Sequence, residues 1–297
     1  MTVLSAPRQG AFHYQPFYTG PVSAAQAAPP RELILTFYGL FRESIGGWIS
    51  IAHLIRLMAE LDVDAPAVRS AVSRLKRRGL IEAHAVGGAA GYCLSAAGQR
   101  LLAEGDPRIL GRACARLDDG WVLAVFSVPE PERDKRHVLR SRLDRLGFGA
   151  VAAGAWIAPQ HLAAEARHRI DGLGLSGYVE LFEHAQLADL TDRAGRWWDL
   201  DALAATYAAF CAAYEPMLRR WSRPGPPDDA AAFADYMRVV DSWRKIVYRD
   251  PRLPPDLLPA DWPGTGAERI FFGLRTALHQ AARKHVLAVI FNRTGAA

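Results

Sequence analysis

In RELILTFYGLF, the first periodic stretch of the chain, Leu33, Phe37 and Leu40 recur at helical spacing. The short extended run GGWIS follows. Ser50 then stands in position to cap IAHLIRLMAEL, in which Ile51, Leu54, Ile55 and Met58 form one apolar face. DVD reads as a turn. Asp64 is the next N-cap candidate, and Pro66 is tolerated because it falls in the first helical turn. AVRSAVSRLKRR is a third helix, closed by Gly79. LIEAHAV and GYCLS read as two short strands around a glycine-rich tip, and Ser95 caps AAGQRLLAEG. The order helix, helix, turn, helix, two-stranded wing, helix predicts a winged helix-turn-helix domain over residues 31–118.

At Gly120 the pattern changes. WVLAVFSVPE is a near-continuous apolar run, suited to a strand buried on both faces. ERDKRHVLRSRLDRLGF is an amphipathic helix with Val138, Leu139, Leu143 and Leu146 on its apolar side. GAVAAGAWIAP reads as a second strand, HLAAEARHRIDGL as a second helix and SGYVELFEHA as a last strand. These elements predict a ferredoxin-like α/β sandwich over residues 119–189.

From residue 190 to 297 the pattern is helical. Leu203, Tyr207, Phe210, Tyr214 and Leu218 share a face, and two more helices flank PRLPPDLLPADWPG. That segment is rich in proline, yet its Leu253, Leu257, Leu258 and Trp262 predict an ordered loop packed on the body. The expected fold class is thus α+β: winged helix-turn-helix, ferredoxin-like sandwich, helical C-terminal domain. Residues 1–30 hold five prolines and no periodicity, and read as a flexible arm on which FHYQPFY is the one dockable run.

Composition narrows the function classes. A chain of 297 residues, half of them hydrophobic, predicts a folded multidomain protein. The net charge of +5 permits a nucleic-acid partner without requiring one. Three widely spaced cysteines with no Cys-x-x-Cys pair argue against a disulfide framework or a zinc site. With no long apolar run and no signal-like N-terminus, the expectation is a cytoplasmic protein without a membrane span.

The charge is not evenly placed. On a wheel of about 100° per residue, Val68, Ala71, Val72 and Leu75 of the third helix face inward, and the basic residues face out. In a helix-turn-helix the N-terminal half of this helix meets base edges, which makes Ala67, Arg69, Ser70, Ser73 and Arg74 the candidate readers of double-stranded DNA. Lys76, Arg77 and Arg78 suit phosphates, and the wing from His84 to Tyr92 suits a neighbouring groove or the backbone. The competing reading is a solvated charged face. The order of the surrounding elements favours the reader.

Other constellations are weaker. Glu130, Glu132 and Asp134 follow a strand, where acids can hold a divalent metal. They alternate with basic residues, which suits a solvated helix start. A metal-dependent nuclease on the central domain is therefore the alternative function, with no catalytic or metal-binding residue assigned. No nucleophile elbow or phosphate-cradling Gly-x-x-x-x-Gly-Lys loop is present, and an enzyme is not expected. Trp243, Arg244, Lys245, Tyr248, Arg249 and Arg252 form an aromatic and cationic cluster suited to an aryl group and phosphates. The alternative for that cluster is a core helix whose arginines pair with Asp241, Asp250 and Asp256.

The layout resembles the PaaX family of bacterial repressors of phenylacetate degradation, over residues 31–295. The resemblance rests on RELILTFYGLF, VRSAVSRLKRRGLI, GYCLSAAGQRLL, DDGWVLAVFSVPE, RSRLDRLGFGAVAAGAWIAP and, most specifically, WRKIVYRDPRLPPDLLPADWPG. It implies a homodimer on a palindromic operator, with no cofactor and with phenylacetyl-coenzyme A or a related acyl-coenzyme A as the effector. The central domain is also similar to small CRISPR-associated ferredoxin-like nucleases, which carry a metal-binding aspartate near the end of the first strand. This chain has Ser127, Val128 and Pro129 there, so the resemblance does not carry over nuclease activity.

Overall fold

The computed structural model describes residues 28–111, 115–226 and 228–291, without the side chains of Glu104, Asp106 and Pro107. Most of the proline-rich arm, with its FHYQPFY run, and Cys114 lie outside the described residues. The described chain forms two compact units. One comprises residues 28–111, 202–226, 228–247 and 261–291, the other residues 115–201 and 248–260.

The first unit opens with α1 (Pro30–Phe41), β1 (Trp48–Ser50), α2 (Ile51–Ala59), α3 (Ala65–Arg77), β2 (Ile81–Val86), β3 (Ala89–Leu94) and α4 (Ala96–Leu110). The caps fall where the sequence places them. The Ser50 side chain accepts from the His53 N–H at 3.1 Å, and Asp64 Oδ1 accepts from the Ala67 N–H at 2.7 Å. The Arg78–Gly79–Leu80 exit closes α3 with Gly79 N–H donating to Lys76 O and Leu80 N–H to Leu75 O. The three strands form an antiparallel sheet in the order β1-β3-β2. The β2–β3 hairpin is longer than the sequence pattern predicts: Ala89 and Ala90 pair with Val86 and Ala85, so only Gly87 and Gly88 form the turn. Both have positive φ, the geometry a two-residue hairpin requires.

The other unit contains β4 (Trp121–Phe126), α5 (Arg133–Leu146), β5 (Gly149–Ala152), β6 (Ala155–Pro159), α6 (Ala163–Gly172), β7 (Val179–Ala185) and α7 (Thr191–Trp197). GAVAAGAWIAP is a hairpin rather than the single strand its pattern predicts. The reversal at Ala153–Gly154 is hidden because small residues carry no periodicity. The antiparallel sheet runs β5-β6-β4-β7. On one face Val122, Ala124, Phe126, Trp156 and Ala158 pack with Leu139, Leu143 and Ile170 of the two helices. Val138, predicted to share that apolar side, is exposed. On the other face Trp121 and Ile157 pack with Trp198, Leu253 and Leu257, so the proline-rich segment is ordered as its leucines predict. β4 is not buried throughout, because Val125 remains exposed on it.

Three more helices complete the first unit: α8 (Leu200–Trp221), which enters it at Ala202, α9 (Asp229–Val247) and α10 (Gly264–Phe291). α1 packs on α3 and also on α9, and α10 packs on α2 and α9. Phe41 lies 5.9 Å from Phe233 and 6.4 Å from Tyr236, ring centre to ring centre. For this reason α1 is buried nearly all round, Glu32 included, where its pattern predicts one apolar face.

Candidate nucleic-acid interface

α3 divides cleanly. Val68, Ala71, Val72 and Leu75 are buried, whereas Arg69, Ser70, Ser73, Arg74, Lys76, Arg77 and Arg78 are all exposed. Projected down the axis, the exposed positions from Lys76 to Arg74 cover an arc of about 160°. No carboxylate lies on the helix itself, and Asp64, the cap, accepts from its first turn. Ala67 is half-buried and its N–H is taken by Asp64. Arg74 Nη2 donates to Ser70 Oγ at 2.8 Å, one helical turn back. That bond uses one of five guanidinium N–H groups and holds two candidate readers side by side, with N–H groups of Arg74 left for a base edge.

The β2–β3 hairpin has little apolar packing of its own. Residues 82–90, His84 among them, are exposed, Gly91 is buried, and Tyr92 is half-buried. Backbone carbonyls hold it instead. Trp48 Nε1 donates to His84 O at 2.9 Å, and the buried Tyr38 hydroxyl donates to Tyr92 O at 2.9 Å. To reach His84 the Trp48 indole crosses Gly91, where an added Cβ would stand 2.4 Å from the ring. Gly91 is thus glycine because the ring passes through the space a side chain would fill. Sequence reasoning missed this brace. The only signal was a tryptophan beside the paired glycines of GGWIS.

The second predicted cluster is divided between the two units. Trp243, Arg244 and Lys245 lie on α9, and Tyr248, Arg249 and Arg252 belong to the unit with the proline-rich segment. Trp243 is fully buried, stacks on Phe271 at 4.6 Å and donates from Nε1 to Ile109 O. Lys245 Nζ lies 2.8 Å from Asp241 Oδ2. Arg244 Nη2 reaches Asp241 Oδ1 at 3.0 Å and Glu32 Oε2 at 3.4 Å. Glu32 Oε1 has no hydrogen-bond partner, and burial pushes this carboxyl up to about 7 against the pull of Arg244. Tyr248 is half-buried and Arg249 exposed. Arg252 is buried with a left-handed backbone, and its N–H donates to Asp250 Oδ1 at 2.7 Å.

Two of the three acids considered for a metal are engaged by cations. Glu132 accepts from Lys135 Nζ and from the Tyr178 hydroxyl, each at 2.6 Å, and these bonds hold it below the ordinary carboxylate range. Glu130 pairs with Arg136 at 3.3 Å, and Asp134 is exposed in the first turn of α5. Among the described residues no three His, Cys, Asp or Glu side chains converge as a metal site. No helix among them is long and apolar enough to cross a membrane.

Comparison with known proteins covers most of the chain. Residues 29–98 match the family model of the PaaX-like protein, residues 114–194 the PaaX protein central Cas2-like domain, and residues 198–288 the PaaX-like protein C-terminal domain. The chain is 27% identical over 260 residues to transcriptional repressor PaaX of Escherichia coli (strain K12), covering 84% of this chain and 81% of the relative. It is similar in fold to the solved structure of uncharacterized protein Rv0674 from Mycobacterium tuberculosis, with a TM-score of 0.53 and 22% identity over 86% of this chain and 98% of that one. Successive family domains match along nearly its whole length, and the chain belongs to the PaaX family.

Proposed function

We propose that this chain is a transcriptional repressor of a phenylacetate-degradation operon that reads double-stranded operator DNA with α3. The observation that carries this reading is the exposed, acid-free basic arc of that helix. The name of the Escherichia coli relative, a transcriptional repressor, supports the same role. In this reading α2, α3 and the β2–β3 hairpin act as a winged helix-turn-helix, with the wing on neighbouring backbone. The β-α-β-β-α-β order of the other unit supports a ferredoxin-like sandwich there. A homodimer would place two α3 helices about one helical turn apart, roughly 34 Å, on a palindromic operator. Phenylacetyl-coenzyme A or a related thioester would release it by binding more tightly to a dimer geometry that no longer fits both half-sites.

Placement bears on the ligand cluster. An aryl group reaching Trp243 would have to part it from Phe271, and a phosphate on Lys245 would have to displace Asp241. We assign Trp243, Arg244 and Lys245 instead to bracing α9 against its neighbours.

Base-reading and phosphate-anchoring residues are distinguishable. Arg74→Ala is expected to weaken specific binding by about 1–3 kcal/mol and to relax preference at one base pair. Lys76→Ala is expected to weaken binding to all duplexes alike and to lower the salt slope by about one. Equilibrium titrations on operator and scrambled duplexes at several salt concentrations measure both. Unchanged operator affinity in Arg74→Ala would remove α3 from the role of reader.

A further inference from the structure

The geometry points to a phosphate-binding site on the helical face of the 115–201 unit, formed by Arg142, Arg145 and Arg169 where α5 and α6 pack side by side. This goes beyond the DNA-binding reading and does not rest on it. Arg142 and Arg145 are one turn apart on α5, and the charges of Arg145 and Arg169 both bear on Arg142. Arg142 Nη1 is withdrawn from solvent and has no hydrogen-bond partner among the described residues.

A buried guanidinium N–H without an acceptor is costly, and two neighbouring cations make it costlier. Burial first, and then those two charges, hold Arg142 below its ordinary value. Two carboxylates answer part of the charge. Glu165 Oε1 accepts from Arg169 Nη2 at 3.2 Å, and Asp144 is flanked by Arg145 and Arg249. Neither is given to Arg142. The free carbonyls at the C-terminal end of α5 favour cations nearby, yet Arg142 Nη1 bonds none of them.

An oxyanion fits what is missing. A phosphate offers several acceptor oxygens to planar forks and offsets much of the clustered positive charge at once. Soluble organic phosphates, such as the nucleotide half of a coenzyme A thioester, and free inorganic phosphate carry the same chemistry. Arg249 stands beside Asp144, at the end of α5 nearest the proline-rich segment, and adds to the positive field.

The test is calorimetric titration of the full chain with pyrophosphate at low ionic strength. Wild type is expected to bind saturably. Arg142→Met, which keeps the aliphatic stem and loses the fork, is expected to bind at least about tenfold more weakly, and Arg142→Lys to fall between. Arg133→Met, at the far end of α5, is expected to bind as wild type does. In phosphate-free buffer Arg142→Met should melt no lower than wild type, since it removes an unanswered buried cation. Should that variant fail to fold, Arg145→Met and Arg169→Met provide the same comparison. Displacement of pyrophosphate by coenzyme A at lower concentration than by inorganic phosphate identifies an organic phosphate as the ligand; the reverse order identifies the free ion. No saturable binding by wild type, equal binding by folded Arg142→Met, or displacement by duplex DNA and not by coenzyme A would overturn the proposal.

Discussion

Trp243→Ala is expected to destabilise the protein by about 3–5 kcal/mol, the range for a large aromatic removed from a packed core. The indole is 0% exposed. It stacks on Phe271 at 4.6 Å and contacts Phe210 at 5.5 Å and Tyr207 at 6.1 Å, between ring centres. Alanine would leave a cavity between α8, α9 and α10 and would orphan the Ile109 carbonyl, which now accepts from Nε1 at 2.9 Å. Trp243→Phe refills most of the space and loses chiefly that hydrogen bond, so about 1–2 kcal/mol is expected. Equilibrium denaturation of the three proteins measures the series. A loss below about 1 kcal/mol in the alanine variant would mean that the ring is not a core element, and would restore the ligand reading of this cluster.

The second large effect concerns pH. Glu32 is fully buried in α1 and faces Arg244, Asp241 and Lys245 of α9 and its own neighbour Arg31. Burial raises its carboxyl from 4.5 to about 7, against the attraction of Arg244. The folded state therefore holds this proton more tightly than the unfolded chain. Its contribution is fully present below about pH 4.5 and is lost as pH rises through about 7. The difference between the ends of that window is of order 3 kcal/mol. Glu32→Gln keeps the shape without the charge. It is expected to be more stable than wild type at pH 8 and to lose this part of the pH dependence. Denaturant midpoints between pH 5 and 8 report the difference. Parallel curves for the two proteins would show that Glu32 does not titrate in this window.

Much of the candidate site was legible in the sequence, because its signals are local. Ser50, Asp64 and Ser95 announce helix starts, and the period of Val68, Ala71, Val72 and Leu75 separates the buried face of α3 from the basic one. What was not legible depends on partners distant in the chain. Nothing in RELILTFYGLF marks Glu32 as buried, yet α9, some two hundred residues away, buries it against Arg244. For Trp243 and Lys245 the sequence leaves a ligand cluster and a core helix both open, because it offers Asp241 as a partner but does not reveal that Trp243 stacks on Phe271. The β5–β6 reversal was hidden for the opposite reason, since a run of alanine and glycine has no period to break. Gly91 carries no mark in the sequence of the indole that crosses it.

On the proposed function, α3 reads a specific operator. The most direct test is an equilibrium titration of the wild-type chain on a duplex from upstream of the phenylacetate-degradation genes, against a scrambled duplex of equal length, with and without phenylacetyl-coenzyme A. Roughly a thousandfold or greater preference for the upstream duplex is expected at physiological salt, lost when the thioester is added. Equal affinity for the two duplexes would contradict it.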